Sequence, residues 1–242
     1  MSLEILADDL VAADDSGFFE EFRGNRSTTQ DIVHRKISHL LYCGYFRPGE
    51  RISLRQLATA LGVSETPVRS ALSRLVADNA IDVLPNRYFA IPTLSRAEFK
   101  ELMQLRLQLE GDIMHYAYQN LSRQDIRELA RLNDAFLEVR HGTSQVRTLE
   151  ANQRFHFKLY SVANRPMTFS LIRSLWMRAG TAIGMALRLG GSQWNDDHHT
   201  EILRGLRTRD EKLCLEAIAG DIQHSSEMLE GLLSDEPVGQ AS

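Results

Sequence analysis

The sequence predicts a mainly α chain built in two parts. Three observations carry that expectation: two short amphipathic helices around a tight turn at 53–75, two short strands around a turn at 81–91, and an unbroken succession of helical patterns from about 96 to 233. The first two together make an N-terminal winged helix-turn-helix domain. The third makes an all-α antiparallel bundle of about six helices, since none of them can bury its apolar stripe alone. The expected division is an acidic mobile arm at 1–25, the winged module at 26–93, the bundle at 94–234 and a tail at 235–242.

Taken in order, the arm holds seven acidic side chains and one basic, with a short helix expected at 3–12. Residues 30–42 form an amphipathic helix with Ile32, Val33, Ile37, Leu40 and Leu41 inward, ending at Gly44 before the turn at Arg47-Pro48-Gly49. In the next helix Leu54, Leu57, Ala58 and Leu61 share one face, and Gly62 stops it. Ser64 is positioned to cap the following helix, and Pro67 falls in its first turn, where a missing N–H costs little. That helix buries Val68, Leu72, Leu75 and Val76, and its other face carries Glu65, Thr66, Arg69 and Ser73. The hairpin at 81–91 turns at Pro85-Asn86-Arg87, which puts Arg87 at its tip.

A helix with short polar groups and one Arg on its free face fits the B-DNA major groove, where such side chains reach base edges. Glu65 can accept from a cytosine amino group, and Arg87 can reach a phosphate or the minor groove. The net charge of −4 argues against nucleic acid until its distribution is considered. Residues 26–97 hold ten Lys/Arg against five Asp/Glu, so the basic surplus sits with the helix-turn-helix, as phosphate contact requires.

The residues Pro48-Gly49-Glu50-Arg51, Leu57-Ala58, Gly62-Val63-Ser64, Thr66-Pro67-Val68-Arg69, Ala71-Leu72 and Leu75 resemble the GntR family of bacterial transcription regulators. The resemblance implies DNA contacts at Arg51, Arg55, Ser64, Thr66, Arg69 and the wing residue Arg87. The chain departs from the family at Glu65, often basic or neutral polar there, and at Tyr88, often Gly.

Beyond Pro92-Thr93-Leu94, Ser95 with Glu98 three residues on reads as a capping box. Helices are expected near 96–119, 123–140, 145–162, 167–189, 195–207 and 211–233. The breaks between them fall at Ser122-Arg123, His141-Gly142, Asn164-Arg165-Pro166, Gly190-Gly191 and Thr208-Arg209-Asp210. Trp176, Met177 and Met185 are expected to line the core or a cavity.

Four polar positions stand out. Asn152 and His156, four residues apart, project about 40° apart from one helix face. A continuous helix from His199 to Asp221 would separate those two by about 33 Å, but the break at Thr208–Asp210 folds the segment back and brings them to similar heights. Neutral imidazoles and a carboxylate then converge, a ligand mix that suits zinc, nickel or manganese. His224, one turn beyond Asp221, is an alternative fourth ligand, and His198 reads as a bystander. Arg106 lies four residues before Glu110, where an ordinary salt bridge is one reading.

Leu105-Arg106 with Leu109-Glu110, then Phe155-His156, Asn164, His199 with Ile202 and Leu203, and Asp210 resemble the FCD ligand-binding domain often joined to GntR-type winged helices. In that family an Asp or Asn and a His four residues apart bind a divalent metal with two later histidines. The resemblance therefore implies a metal site at Asn152, His156 and His199, with Asp221 in the fourth place. It also implies a second role for Arg106, holding an effector carboxylate by paired N–H···O bonds.

The expected function is a transcription regulator and not an enzyme: a repressor that binds a double-stranded DNA operator as a homodimer. Its affinity would be modulated by a small organic acid, with a divalent metal (Zn, Ni or Mn) as cofactor. A constitutive DNA-binding regulator with a purely structural bundle is the alternative. A metal-dependent hydrolase is a further one, for which no Glu or Ser motif completes a mechanism. No apolar run is long enough to span a bilayer, and the acidic N-terminus is not a secretory signal. Cys43 and Cys214 fit no disulfide or metal pattern, so a cytoplasmic setting is expected.

Overall fold

The computed structural model describes residues 28–142, 144–189 and 197–230, together with 233 and 235. The arm with its short helix at 3–12, the Gly190-Gly191 break and the tail beyond Asp235 lie outside the described residues.

The N-terminal part opens with α1 (Thr29–Tyr42), which starts at a capping box between Thr28 and Asp31. Val33, Ile37, Leu40 and Leu41 are buried as the pattern requires, whereas Ile32 is 41% exposed. Ile32 lies at the edge of the stripe, outside the arcs that the helices packed on α1 cover. Next come β1 (Arg51–Ile52) and α2 (Leu54–Leu61), which ends at Gly62 in the left-handed region, φ 66°. The second helix of the pair is α3 (Glu65–Ala77), burying Val68, Ala71, Leu72 and Leu75, with Val76 half-buried.

The hairpin forms as expected from β2 (Asp82–Leu84) and β3 (Tyr88–Ala90), joined by a tight turn at Pro85–Arg87 in which Asn86 takes φ 65°. The sequence pattern had not disclosed that β1 pairs with β3. The result is a three-stranded antiparallel sheet in the order β1-β3-β2, with Ile52 opposite Phe89 and Val83 opposite Phe89. A two-residue strand carries too little alternation to read.

The second part is helical throughout its described residues: α4 (Arg96–Asn120), α5 (Arg123–Val139), α6 (Gln145–Ser161), α7 (Pro166–Arg188), α8 (His198–Thr208) and α9 (Glu211–Glu230). Ser95 and Ser122 each form a capping box, which fixes the starts of α4 and α5. Arg209 takes φ 57° at the α8–α9 break, and Asp210 caps the restart by accepting from the Leu213 N–H at 3.0 Å. α9 packs on α8, α4 and α7; α6 packs on α5, α4 and α7. One continuous apolar core runs through both parts. Among the described residues no helix is long and apolar enough to cross a membrane.

The two parts join through backbone. Gly44, at φ +60°, sits against Gly180 and Gly184 of α7; a Cβ on Gly44 would lie 2.6 Å from the Gly180 carbonyl oxygen. Arg188 donates to the carbonyls of Gly44 (2.6 Å) and Phe46 (3.2 Å), and Arg178 to that of Asn79 (3.2 Å).

Candidate functional site: a buried histidine–carboxylate cluster and a DNA-facing helix

The fold-back at Arg209 brings α6, α8 and α9 together inside the bundle, and their polar residues meet. His156 Nε2 lies 3.0 Å from His199 Nε2 and 3.2 Å from Asp221 Oδ2, and one ligand atom from each of the three residues lies within 4.8 Å of the others. All three side chains are buried. Asn152, one turn before His156, is buried with no hydrogen-bond partner on its Oδ1 among the described residues. A buried amide oxygen without a partner, beside two imidazoles and a carboxylate, fits a coordinated cation.

The protonation states also fit. Burial, reinforced by the His156 imidazole, holds His199 down at about 3, so it is neutral at physiological pH. Burial alone would raise the Asp221 carboxyl, but the neighbouring His156, by charge and by hydrogen bond, outweighs it and holds the group below its usual range. His199 is held in orientation by its rings: it stacks on Phe155 at 4.0 Å between centroids and lies tilted against Phe136 at 4.5 Å.

His156 is oriented through a chain of hydrogen bonds that the sequence had not revealed. Arg106 Nε donates to Glu110 Oε1 at 2.6 Å, and Tyr160 O–H donates to Glu110 Oε2 at 2.7 Å. Burial and the Glu110 charge raise the Tyr160 phenol well above its ordinary value, so it keeps its proton. Because that proton goes to Glu110, the Tyr160 oxygen can only accept from His156 Nδ1–H, at 3.1 Å. In the neutral imidazole, that donation leaves the Nε2 lone pair facing the cluster, as metal ligation requires. Tyr160 is four residues after His156, a spacing that is visible in the sequence but has meaning only once Glu110 is known to face it.

Arg106 is placed in the first of its two expected roles. It is 2% exposed, doubly paired with the fully buried Glu110 and stacked on Trp176 with Cζ 4.6 Å from the ring. Trp176 also lies against His156, 5.3 Å between centroids, so it is core and cluster wall at once. His224 is half-buried, with its ring 6.5 Å from that of His198; neither joins the three-residue cluster.

On the N-terminal module, Arg51, Arg55, Ser64, Glu65, Thr66 and Arg69 are all exposed. The backbone of Arg87 stands at the wing tip; its side chain lies outside the described residues. Arg51 reaches the exposed Tyr88 ring, 5.4 Å from its centroid, linking the edge strand to the wing. Ser64 does occupy the cap position of α3, but its hydroxyl makes no capping bond, contrary to expectation. The start of α3 lines an open groove of about 630 Å³ together with the start of α1, through Thr28, Thr29, Gln30, Val63, Ser64, Thr66 and Pro67. The helix N-terminus of α3 lends that groove a partial positive charge.

This geometry agrees with what the chain is similar to. Residues 29–91 match the bacterial regulatory proteins of the gntR family, and residues 101–224 match the FCD domain. The HTH-type transcriptional regulator McbR of Escherichia coli strain K12 is 28% identical over 200 residues, covering 81% of this chain and 90% of that protein. The Nta operon transcriptional regulator of Aminobacter aminovorans is 30% identical, covering 77% and 88%. The solved structure of E. coli McbR/YncC superimposes with a TM-score of 0.79 at 27% identity, covering 85% of this chain and 98% of that one. The relatives are regulators and not enzymes. The chain belongs to the GntR family of bacterial transcriptional regulators, in the branch that carries a C-terminal FCD domain.

Proposed function

We propose that this regulator is a metal-assisted sensor of a small carboxylate, acting in the cytoplasm as a homodimeric repressor. In this reading the module at 26–93 reads an operator and the bundle at 94–234 holds the effector and pairs two copies. One observation carries the sensor reading: the buried convergence of His156, His199 and Asp221 beside the partnerless Asn152 Oδ1. These four residues would hold the divalent ion, and zinc, nickel and manganese all suit the donor set. The ion would supply a fixed positive charge that attracts an effector carboxylate. The chain's own part is to orient His156 through Tyr160 and Glu110 and to exclude water with Phe155, Phe136 and Trp176.

DNA binding in this reading uses Thr66 and Arg69 for base edges, with Glu65 beside them. Arg51, Arg55, Ser64 and Arg87 contact the backbone or the minor groove, and the α1–α3 groove takes a phosphate. Signal transfer runs along α7. That helix carries Trp176 against the cluster and, one and two turns on, the glycines that seat the winged module. An effector that prefers one placement of α7 shifts the placement of the recognition helices, and by linkage operator binding shifts effector affinity equally.

The test is metal analysis of the purified wild type and of His156→Ala and His199→Ala, with operator mobility shifts of each. The expected result is about one zinc, nickel or manganese per wild-type chain and loss of that metal in both variants. Equal metal content in all three proteins removes the sensor reading.

A further inference from the structure

If the bundle holds a carboxylate, the structure must offer a cation for it. Arg106 is one, with its Nε and Nη2 paired to the two oxygens of Glu110. α5 supplies another. Asn133, Phe136 and Arg140 lie at i, i+3 and i+7 and therefore share one face of that helix. Phe136 packs against the His199 ring, and Asn133 Nδ2 donates to the Thr200 hydroxyl at 3.1 Å, so the face abuts the start of α8 beside the cluster. Arg140 is near enough for its charge to act on His199.

Both residues are left incomplete. Arg140 Nε and Nη1 are buried with no hydrogen-bond partner among the described residues; the Asp197 carboxylate stands off, with Oδ1 3.9 Å from Nη1, beyond hydrogen-bond reach. Asn133, 4% exposed, has no partner on Oδ1 among the described residues. Buried guanidinium and amide groups left without partners cost free energy and call for a ligand or ordered water. Their position, one aromatic ring away from the proposed metal ligands, favours a ligand.

We propose that Arg140 is the effector-carboxylate anchor and that Asn133 Oδ1 accepts from a hydroxyl or amino group of the same molecule, so the effector is a hydroxy- or amino-substituted organic acid. This rests on the sensor reading above. The charges agree: a divalent ion held by one carboxylate and neutral donors leaves one positive charge, and Arg140 adds a second, which suits an anion of one or two charges. Arg140 is 20% exposed at its side chain, so it is open to substitution without dismantling the core.

The experiment uses the full-length zinc-loaded protein, titrated by calorimetry and thermal shift with lactate, malate, citrate, succinate and glutamate, in wild type, Arg140→Gln, Arg140→Lys and Asn133→Leu. Zinc content is measured in each. The expected result is that one of the hydroxy or amino acids raises the wild-type melting temperature. Its affinity falls roughly tenfold to a hundredfold in Arg140→Gln and less in Arg140→Lys, while zinc stays at the wild-type level. Asn133→Leu should erase the preference for malate over succinate. A shift of equal size in wild type and Arg140→Gln overturns the Arg140 assignment alone, as does loss of zinc from Arg140→Gln. Failure of all five acids to shift the zinc-loaded wild type overturns the carboxylate-sensor reading with it.

Discussion

Glu110 is the residue on which the cluster's order depends. It is fully buried, accepts from Arg106 and Tyr160, and through Tyr160 fixes which nitrogen of His156 faces His199 and Asp221. Glu110→Gln keeps an acceptor for the phenol but leaves a buried guanidinium without its counter-charge, so stability should fall by about 3–5 kcal/mol. Urea unfolding checks this, and a loss below 1 kcal/mol would mean that the Arg106 charge finds another partner. Tyr160→Phe tests the orienting role more gently. Folding should survive, while zinc affinity drops roughly tenfold to a hundredfold, as for other groups that orient a metal-bound imidazole. A competition titration against a chromophoric chelator reads it directly. At this scale the sequence was legible where spacing and fold-back sufficed, as for His156, His199 and Asp221. It was not legible for Glu110, Tyr160 and Arg140, whose roles depend on which neighbouring helix each one faces.

At the scale of elements, the helix-turn-helix followed from local signals: Gly62 in the left-handed region, Pro67 in the first turn of α3 and the apolar spacing from Val68 to Leu75. The bundle helices followed from capping boxes and breaks, with ends within three residues of expectation where both ends are described. What escaped was non-local or set by neighbours: the pairing of β1 with β3, the outward turn of Ile32 and the idle hydroxyl of Ser64. α3 presents Arg69 and Thr66 on an exposed face while its apolar face is locked beneath. Arg69→Ala should therefore leave the melting temperature nearly unchanged but cost roughly 1–3 kcal/mol of discrimination between operator and mismatched DNA. Mobility shifts at matched salt measure it; undiminished selectivity removes Arg69 from base reading.

Across the whole molecule, the informative feature is the contact of Gly44 with Gly180 and Gly184. A Cβ on Gly180 would sit 2.5 Å from the Tyr42 carbonyl oxygen, which belongs to rigid backbone and cannot yield cheaply. Gly180→Ala should thus destabilise the protein by about 1–3 kcal/mol and force α1 away from α7. It should also loosen the coupling between zinc loading and operator affinity; a variant with wild-type stability and wild-type coupling would show that the contact is slack. Glycines in a helix read as weak points in a sequence, and only the fold explains these two as places of close approach.

That seam has a bearing on evolution as well as mechanism. Where Gly44 meets Gly180 and Gly184, main chain presses on main chain, so those three positions offer no side chain to trim in retuning the angle of the reading head. Drift at these glycines should therefore be far slower than drift in the amino acids on the exposed face of α3.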